Sequence, residues 1–341
     1  MCISSTRVMV VGFTSSGKTT YMAGMYDYMS LGANGFTLIA RPADDAYLSK
    51  IWDDIYCGGN DRKWPAASDQ IKEYSFTLAY NFEKILQFSW LDYPGGELFA
   101  RSEQFCENLR SSSALIFLIN GEHFRADESL SEVEYKRRVL YNLRKERKAI
   151  NGISDALKAL PPVMFVVSKS DLIKDCHVEY VGDIIREAFP HIFKRAASGT
   201  ERLVAIEAMT LGEGVEKGED LDPVNIENPV VFSLLWHLKQ KVEELKMKIR
   251  DIQTEIADSD RTVANCSGNR VVAWLNSDRL RMARGRAAQL RQQALSLRES
   301  VLKLSNGIRP MLKVFRDGKM IYINDTEVPL LRYFDNVLSG I

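Results

Sequence analysis

Residues 12–19 read Gly12-Phe13-Thr14-Ser15-Ser16-Gly17-Lys18-Thr19, which is a complete G-x-x-x-x-G-K-T pattern. The apolar run directly before it, residues 7–11, reads Arg-Val-Met-Val-Val and suits a buried parallel strand. The residues from Thr19 onward can begin a helix, and the loop amides would then point inward at an anion. The sequence therefore predicts a phosphate-binding loop. The preceding strand and the Lys-Thr pair argue against the alternative, a Gly-rich surface turn.

Each part of this loop has an expected task in binding a nucleoside triphosphate. Lys18 is expected to contact the β- and γ-phosphates, and the Thr19 hydroxyl is expected to bind Mg²⁺. The residues of the loop expected at the nucleotide are Gly12, Ser15, Ser16, Gly17, Lys18, Thr19 and Thr20.

Composition argues against several other classes of protein. The chain has 341 residues, with 45 Lys and Arg against 45 Asp and Glu, so it has no overall bias toward nucleic acid or anionic membranes. Its five cysteines are scattered without a C-x-x-C pair, which disfavours a disulfide framework and a zinc site. No basic-then-apolar leader and no uncharged run of membrane-spanning length is present. We expect a cytoplasmic protein that does not enter a membrane.

Strand and helix patterns alternate after the loop. The strand candidates are 74–80 and 85–91, which are spaced as a hairpin, followed by 114–119, 163–167 and 203–206. Helical patterns cover 132–150 and 178–193. The alternation predicts an α/β fold with a mostly parallel six-stranded sheet flanked by helices, in which the hairpin supplies one antiparallel strand.

The carboxy-terminal third has a different pattern. Apolar residues recur at alternating intervals of three and four over 235–256 and again over 280–304, which predicts two heptad seams in an antiparallel helical hairpin. Ordinary amphipathic helices lying on the core remain an alternative. Asp317-Gly318 then predicts a short β-hairpin. The expected domains are 1–245 for nucleotide binding, 246–306 for a coiled-coil-like helical arm and 307–341 for the β-hairpin and tail.

Later segments decide which nucleotide is bound. Asp92-Tyr93-Pro94-Gly95 is a D-x-x-G element after a predicted strand, where Asp92 can hold Mg²⁺ through water and the Gly95 amide can bind the γ-phosphate. Ser168-Lys169-Ser170-Asp171 matches [N/T/S]-K-x-D, in which the aspartate accepts hydrogen bonds from guanine N1 and N2 and the lysine stem covers the ring. Adenine lacks these adjacent donors, so Asp171 favours guanine. The Ala208 amide, after the last strand, could contact guanine O6.

Over about Arg7 to Val242 the order and spacing of these motifs resemble the Ras-like, translation-factor-related P-loop GTPases. The loop ending Gly17-Lys18-Thr19-Thr20-Tyr21, the Trp64-Pro65 segment and Asp92–Glu97 are similar to the bacterial double-GTPase families of conflict and defence gene clusters. The resemblance implies a switch that binds GTP or GDP with Mg²⁺, hydrolyses GTP, and works with a second GTPase or effector.

The chain departs from the Ras-like pattern at three places. Ser68 is the candidate for the hydroxyl that closes on Mg²⁺ and the γ-phosphate, with Thr77 as an alternative and a polar loop serine without a role as another. Gly96 stands where Ras-like enzymes place a glutamine that orients water. Glu97 is the remaining candidate if the loop shifts, but the sequence favours a surface glutamate without a catalytic role. Thr14 stands at a loop position that is glycine in efficient Ras-like GTPases, so we expect its side chain to crowd the γ-phosphate region. Unaided hydrolysis should therefore be slow.

Two other functional classes remain open from the sequence. Gly96 favours a non-hydrolysing adaptor, and the basic second helix of the arm suggests a P-loop ATPase that acts on nucleic acid. The arm contains Arg279, Arg281, Arg284, Arg286, Arg291, Arg298 and Lys303 but no aromatic residue for base stacking. We therefore expect the arm to contact a protein partner rather than nucleic acid, and self-assembly is a further alternative.

Overall fold

The computed structural model describes residues 6–56, 62–66, 70–127, 129–156, 161–173, 175–194, 201–212, 222–267, 277–315 and 319–338. The chain divides into two compact units. The first comprises Met1–His237 with Lys313–Arg332, and the second comprises Leu238–Leu312 with Tyr333–Ile341. The domain bounds expected at residues 245 and 306 stay a prediction.

The first unit is built on one sheet, which has nine strands within the described residues. These are β1 (Thr6–Gly12), β2 (Phe36–Ala40), β3 (Lys72–Tyr80), β4 (Glu83–Asp92), β5 (Ala114–Asn120), β6 (Val163–Ser168), β7 (Leu203–Ala208), β8 (Met320–Ile323) and β9 (Thr326–Pro329). Their order across the sheet is β2-β3-β4-β1-β5-β6-β7-β8-β9.

The helices of the described residues belong to both units. They are α1 (Lys18–Ser30), α2 (Pro42–Tyr56), α3 (Glu97–Ala100), α4 (Glu103–Ser111), α5 (Glu132–Asn142), α6 (Arg144–Ala156), α7 (Asp175–Ala188), α8 (Pro190–Phe193), α9 (Asn228–Ser267), α10 (Ser277–Leu312) and α11 (Leu330–Leu338). Within the part of the chain that the structure describes, none of the helices combines the length and the apolar character needed to cross a bilayer.

The α/β class with a helix-flanked sheet is confirmed, but the expected count of six strands is wrong. β4, β1, β5, β6 and β7 pair in parallel, whereas the pairings β2–β3, β3–β4, β7–β8 and β8–β9 are antiparallel. The additional strands lie at the two edges of the sheet. A parallel core covered by helices is buried on both faces, and every side chain of β6 is accordingly buried.

β2 and α2 lie in a stretch for which the sequence analysis predicted neither a strand nor a helix. β2 is only five residues long, so it carries little alternation to recognise. α2 buries Leu48, Trp52 and Ile55, whose spacing of four and three residues is a helical signal. This apolar stripe is the feature from which α2 could have been predicted.

The C-terminal β-hairpin is present but lies further along the chain than expected. Helix α10 continues to Leu312, and the hairpin joins β8 to β9 through Asn324 and Asp325. These residues have φ of 50° and 68°, and Asn and Asp tolerate this left-handed region in tight turns. Residues 317–318, where the turn was expected, lie outside the described residues.

In the second unit, α9 and α10 form an antiparallel helical pair. Residues 246–253 of α9 line a groove with residues 298–302 of α10, whereas Glu255 and Asp260 form ion pairs with Arg286 and Arg291. Later α9 residues therefore meet earlier α10 residues. The contact includes Ile252, Leu290 and Ala294, all of which belong to the heptad pattern.

Candidate functional site

The phosphate-binding loop joins β1 to α1 as its motif requires. Gly17 caps α1 with φ of 85°, a left-handed conformation that glycine adopts without strain, and the helix begins at Lys18. The amides in the first turn of an α-helix carry the positive end of the helix dipole. This geometry suits the binding of a phosphate group.

The Lys18 side chain lies across this loop. Its Nζ donates to the carbonyl oxygens of Gly12 at 2.8 Å and Phe13 at 3.3 Å, and the residue is only 8% exposed. Burial lowers the pKa of Lys18, and the charge of Asp92 partly opposes this shift. The ammonium is therefore held at the loop by carbonyl oxygens that a phosphate can replace as partners.

Asp92 ends β4 beside the loop, opposite Val10 of β1. The residue is 1% exposed, and it acts electrostatically on Lys18. Thr19 is half-buried in the first turn of α1. One hydroxyl and one carboxylate suit Mg²⁺, which keeps several waters and takes its other oxygen ligands from substrate phosphates. No cluster of three His, Cys, Asp or Glu side chains able to hold a metal was found in the described residues.

Gly95 of the D-x-x-G element lies directly against the phosphate-binding loop. A Cβ at this position would stand 2.4 Å from the Thr14 amide nitrogen and 2.9 Å from Thr14 Oγ1. Only glycine allows such an approach between two backbones. Gly96, the next residue, has nothing within 4 Å of such a Cβ. The two glycines therefore differ sharply in what a side chain would meet.

Glu97 begins α3 and makes a specific contact. Its Oε2 accepts a hydrogen bond of 2.9 Å from Ser102 Oγ, and the same Ser102 hydroxyl accepts from the Phe105 amide as the N-cap of α4. Glu97 thus helps to fix the entry to α4. Ser68, the other candidate for closing on the γ-phosphate, lies outside the described residues.

The S-K-x-D segment is tied to the phosphate-binding loop. Ser168 Oγ donates to the Ser16 carbonyl oxygen at 2.9 Å and lies 3.2 Å from that of Ile119. The contact with Ser16 spans 152 residues of sequence and is buried. Gly121, after β5, is also essential here, since a Cβ would stand 2.0 Å from the Ser168 carbonyl oxygen. These contacts hold the loop after β1 and the ends of β5 and β6 against one another.

The candidate guanine-reading residues lie on neighbouring strand ends. Asp171 Oδ1 accepts a hydrogen bond from Thr210 Oγ1, and the Ser170 amide donates to the Met209 carbonyl at 3.0 Å. Lys169 has φ of 53°, and its Nζ lies 3.8 Å from Glu122 Oε1. The structure thus brings the S-K-x-D segment beside the loop that follows Ala208.

These loops form a nucleotide-binding constellation at the carboxyl ends of parallel strands, the usual ligand position in open α/β sheets. Residues 9–163, just under half of the chain, match the family model described as Double-GTPase 1. Over these residues the chain is similar to the P-loop GTPases of the double-GTPase type.

The solved structures to which the chain is similar include translation-factor proteins. The elongation factor SelB from Methanococcus maripaludis, in complex with the GTP analogue GppNHp, is 11% identical, with 69% of this chain and 34% of that chain covered and a TM-score of 0.34. The Ski7 GTPase-like domain of S. cerevisiae, bound to GTP, is 12% identical, with 60% and 42% covered and a TM-score of 0.32. The chain therefore spans less than half the length of either structure. No curated protein matches it.

Three residues that support the candidate site were missed in the sequence. Thr210 orients Asp171, Asn225 donates to the Ala208 carbonyl oxygen at 2.9 Å, and Gly121 permits the approach to Ser168. Thr210 and Asn225 lie after the last predicted strand and belong to no short motif. Gly121, which follows the run ending in Asn120, carried a signal, because a glycine at a strand end often marks a close backbone approach.

Proposed function

We propose that this protein is a guanine-nucleotide switch that hydrolyses GTP to GDP and phosphate with Mg²⁺. The observation that carries the proposal is the buried contact of Ser168 with Ser16, because it joins the candidate guanine-reading segment to the phosphate-binding loop. The base and the triphosphate of one nucleotide must contact these two segments at the same time. The family match over residues 9–163 supports the same function.

In this proposal each residue acts on a different part of GTP. Lys18 exchanges its loop carbonyl partners for the β- and γ-phosphates, where its charge stabilises the transferred group. The amides of Ser15, Ser16, Gly17, Thr19 and Thr20 surround the phosphates. Lys169, Asp171 and Ala208 hold the guanine, and the Gly95 amide meets the γ-phosphate.

The residues present fit a magnesium ion next to the γ-phosphate. Thr19 and Asp92, with Ser68 as the candidate third group, would hold it, Asp92 through water. When bound, Mg²⁺ neutralises charge that develops on the phosphate oxygens. The role of this chain is to place a hydroxyl and a carboxylate at the ends of α1 and β4.

The water-orienting group is the weakest part of the site, since Gly96 offers no side chain and Glu97 is bonded to Ser102. Glu97 can orient water only if it leaves that hydroxyl. We expect isolated protein to turn over GTP no faster than the order of 10⁻³ s⁻¹. The test is identification of the copurifying nucleotide, then single-turnover hydrolysis with and without the product of the neighbouring gene. Fast turnover by dilute protein alone would contradict the slow-switch proposal.

The Gly95→Ala variant is expected to lower GTP hydrolysis by about a hundredfold, because its Cβ would displace the loop from Thr14. GDP lacks the γ-phosphate, so its affinity should stay near that of the wild type. Single-turnover rates and nucleotide titrations measure both quantities. Gly96→Ala is the matched control, since its Cβ meets open space. Equal loss in both variants would show that the Gly95 contact has no special role.

The helical arm is the proposed surface for a protein partner that stimulates hydrolysis. Its groove of about 430 Å³ is lined by the apolar residues Ile249, Val301 and Leu302 and by the cationic residues Lys246, Arg250 and Arg298. A lining that combines apolar and cationic side chains fits an acidic amphipathic segment of a partner. A role in a bacterial defence system remains part of this proposal.

Charge reversal in the groove tests this role of the arm. Arg250→Glu with Arg298→Glu is expected to reduce partner-stimulated turnover at least tenfold, since like charges would face an acidic partner. The unstimulated rate and the affinity for GTP should not change. Arg279→Glu, at an exposed position outside the groove, is the control. Full stimulation of the double variant by the partner would remove the groove from the proposal.

A non-hydrolysing adaptor is the second candidate function. Gly96 and the contact between Glu97 and Ser102 favour it, because neither residue is ready to orient water. The adaptor should bind GTP and release it unchanged in single-turnover experiments, with or without a partner.

A further inference from the structure

Glu207 is a buried carboxylate at the end of β7, and three side chains donate to it. Lys319 Nζ lies 2.7 Å from its Oε2, Asn228 Nδ2 lies 3.0 Å from the same oxygen, and Asn225 Nδ2 lies 3.3 Å from Oε1. Lys319 also donates to the Ile206 carbonyl oxygen at 2.7 Å. Both oxygens of Glu207 are therefore occupied, as a buried carboxylate requires.

The Glu207 cluster reaches the candidate O6-reading residue through Asn225. The second Nδ2 hydrogen of Asn225 has a partner at the Ala208 carbonyl oxygen, 2.9 Å away. Asn225 has φ of 59°, a left-handed conformation that its side-chain contacts help to hold. Glu207 and Asn225 thus fix the peptide that follows Ala208 and, with it, the direction of the neighbouring amides.

The same segment also reaches Asp171. Val224, the neighbour of Asn225, exchanges backbone hydrogen bonds of 3.0 and 3.3 Å with Thr210. The Thr210 hydroxyl accepts from the Gly212 amide at 3.0 Å and donates to Asp171 Oδ1. Hydrogen bonds, joined by the peptide bond between Val224 and Asn225, therefore link Lys319 to Ala208 and to Asp171.

Lys319 comes from the far end of the chain. β8 pairs antiparallel with β7, with Leu203 opposite Ile323 and Val204 opposite Tyr322. If this register continues, Lys319 stands opposite Glu207, in agreement with their ion pair. Lys319 lies between α10 and β8 and directly precedes β8, so the segment that returns to the sheet after the helical arm supplies the cation that holds Glu207.

We propose that Lys319, Glu207 and Asn225 are positioning residues for guanine recognition, through which strand β8 sets the affinity of the site for the guanine O6 atom. This inference rests on the proposed function, because it takes Ala208 as the O6 contact. A purely structural link between β7 and β8 would not need a buried carboxylate, since apolar side chains of similar volume are often as stabilising as a buried ion pair. A role in holding Ala208 in place accounts for the polar groups that are buried beside it.

The test compares two nucleotides that differ only at position 6 of the base. GTP presents oxygen there, whereas 6-thio-GTP presents sulfur, a weak acceptor, and keeps N1 and N2. Lys319→Met retains the aliphatic stem and removes the ammonium. Lys313→Met is the matched control, because Lys313 is an exposed lysine of the same unit. Dissociation constants of the full chain for both nucleotides are measured, with melting temperatures alongside.

Wild type is expected to prefer GTP to 6-thio-GTP. In Lys319→Met the affinity for GTP should fall about five- to tenfold. The affinity for 6-thio-GTP should change much less, so the preference shrinks, and Lys313→Met should keep the wild-type preference. Equal weakening of both nucleotides would mean that Lys319 only stabilises the fold and would overturn the inference.

A second variant covers the case in which Lys319→Met does not fold. Asn225→Gly keeps the left-handed backbone and removes the side-chain amide that donates to the Ala208 carbonyl oxygen and to Glu207. It should shrink the preference in the same way, and an unchanged preference would also overturn the inference. Failure of the proposed function has a different signature, because wild type would then bind ATP as well as GTP. A wild type that selects GTP over ATP but not over 6-thio-GTP overturns the positioning role alone.

Discussion

Lys18→Ala is expected to lower the affinity for Mg-GTP by about a hundredfold or more, because the variant loses the buried ammonium that faces the phosphates. The free protein should keep its fold. Burial lowers the pKa of Lys18, so the charged form is disfavoured by the folded environment and its removal costs the fold little. Titration with labelled GTP and the melting temperature of the nucleotide-free protein measure the two effects.

The control for this experiment is Lys50→Ala, which removes an exposed lysine on α2. It should bind Mg-GTP as wild type does. Thr19→Ala should bind GTP more weakly than wild type when Mg²⁺ is present, because the hydroxyl acts through the ion. Without Mg²⁺ the two proteins should bind GTP equally well. Wild-type affinity in Lys18→Ala would show that the loop does not bind phosphate as described.

Local motifs account for the part of the fold that was predicted from sequence. The strand, glycine loop and helix around Gly17 follow from hydrophobic runs and from the left-handed conformation that only glycine adopts easily. The parallel core follows from five apolar runs, each of which becomes a buried strand. These features depend on neighbouring residues, so a single sequence is enough to read them.

The parts that were missed depend on contacts between distant segments. The chain returns after α10 so that β8 pairs with β7, and no residue near Met320 indicates this pairing. Thr210 and Asn225 act through Asp171 and Ala208, from which they are separated by 39 and 17 residues. Their roles are set by tertiary position, which a short motif does not encode.

This contrast also applies to the candidate site. The residues expected to touch nucleotide lie in motifs, because phosphates and guanine impose fixed chemistry on them. The groups that hold these residues in place face no such constraint. Many different side chains can supply a hydrogen bond to Asp171, and Thr210 is the one that this fold brings within reach.

Asp171→Asn is expected to reduce the affinity for GTP by about a hundredfold, because the replacement loses one of two acceptors that pair with guanine N1 and N2. An asparagine Oδ1 can still accept from Thr210, so the loop that follows Ala208 should stay in place. The side-chain amide of the variant then places a hydrogen-bond donor opposite a donor of guanine, which is unfavourable. Xanthine carries an oxygen at position 2, so xanthosine triphosphate should bind the variant better than it binds wild type.

Competition binding with GTP, ATP and xanthosine triphosphate measures this exchange of specificity. Thr210→Val is the matched variant, since it leaves the Asp171 carboxylate intact and removes only the hydroxyl that orients it. It should weaken GTP binding by a smaller factor of about five, without any gain for xanthosine triphosphate. A gain in affinity for xanthosine triphosphate therefore distinguishes a residue that contacts the base from a residue that supports the loop. Equal affinity of wild type for ATP and GTP would remove guanine selectivity from Asp171, and with it the reason for placing a base between Lys169 and Ala208.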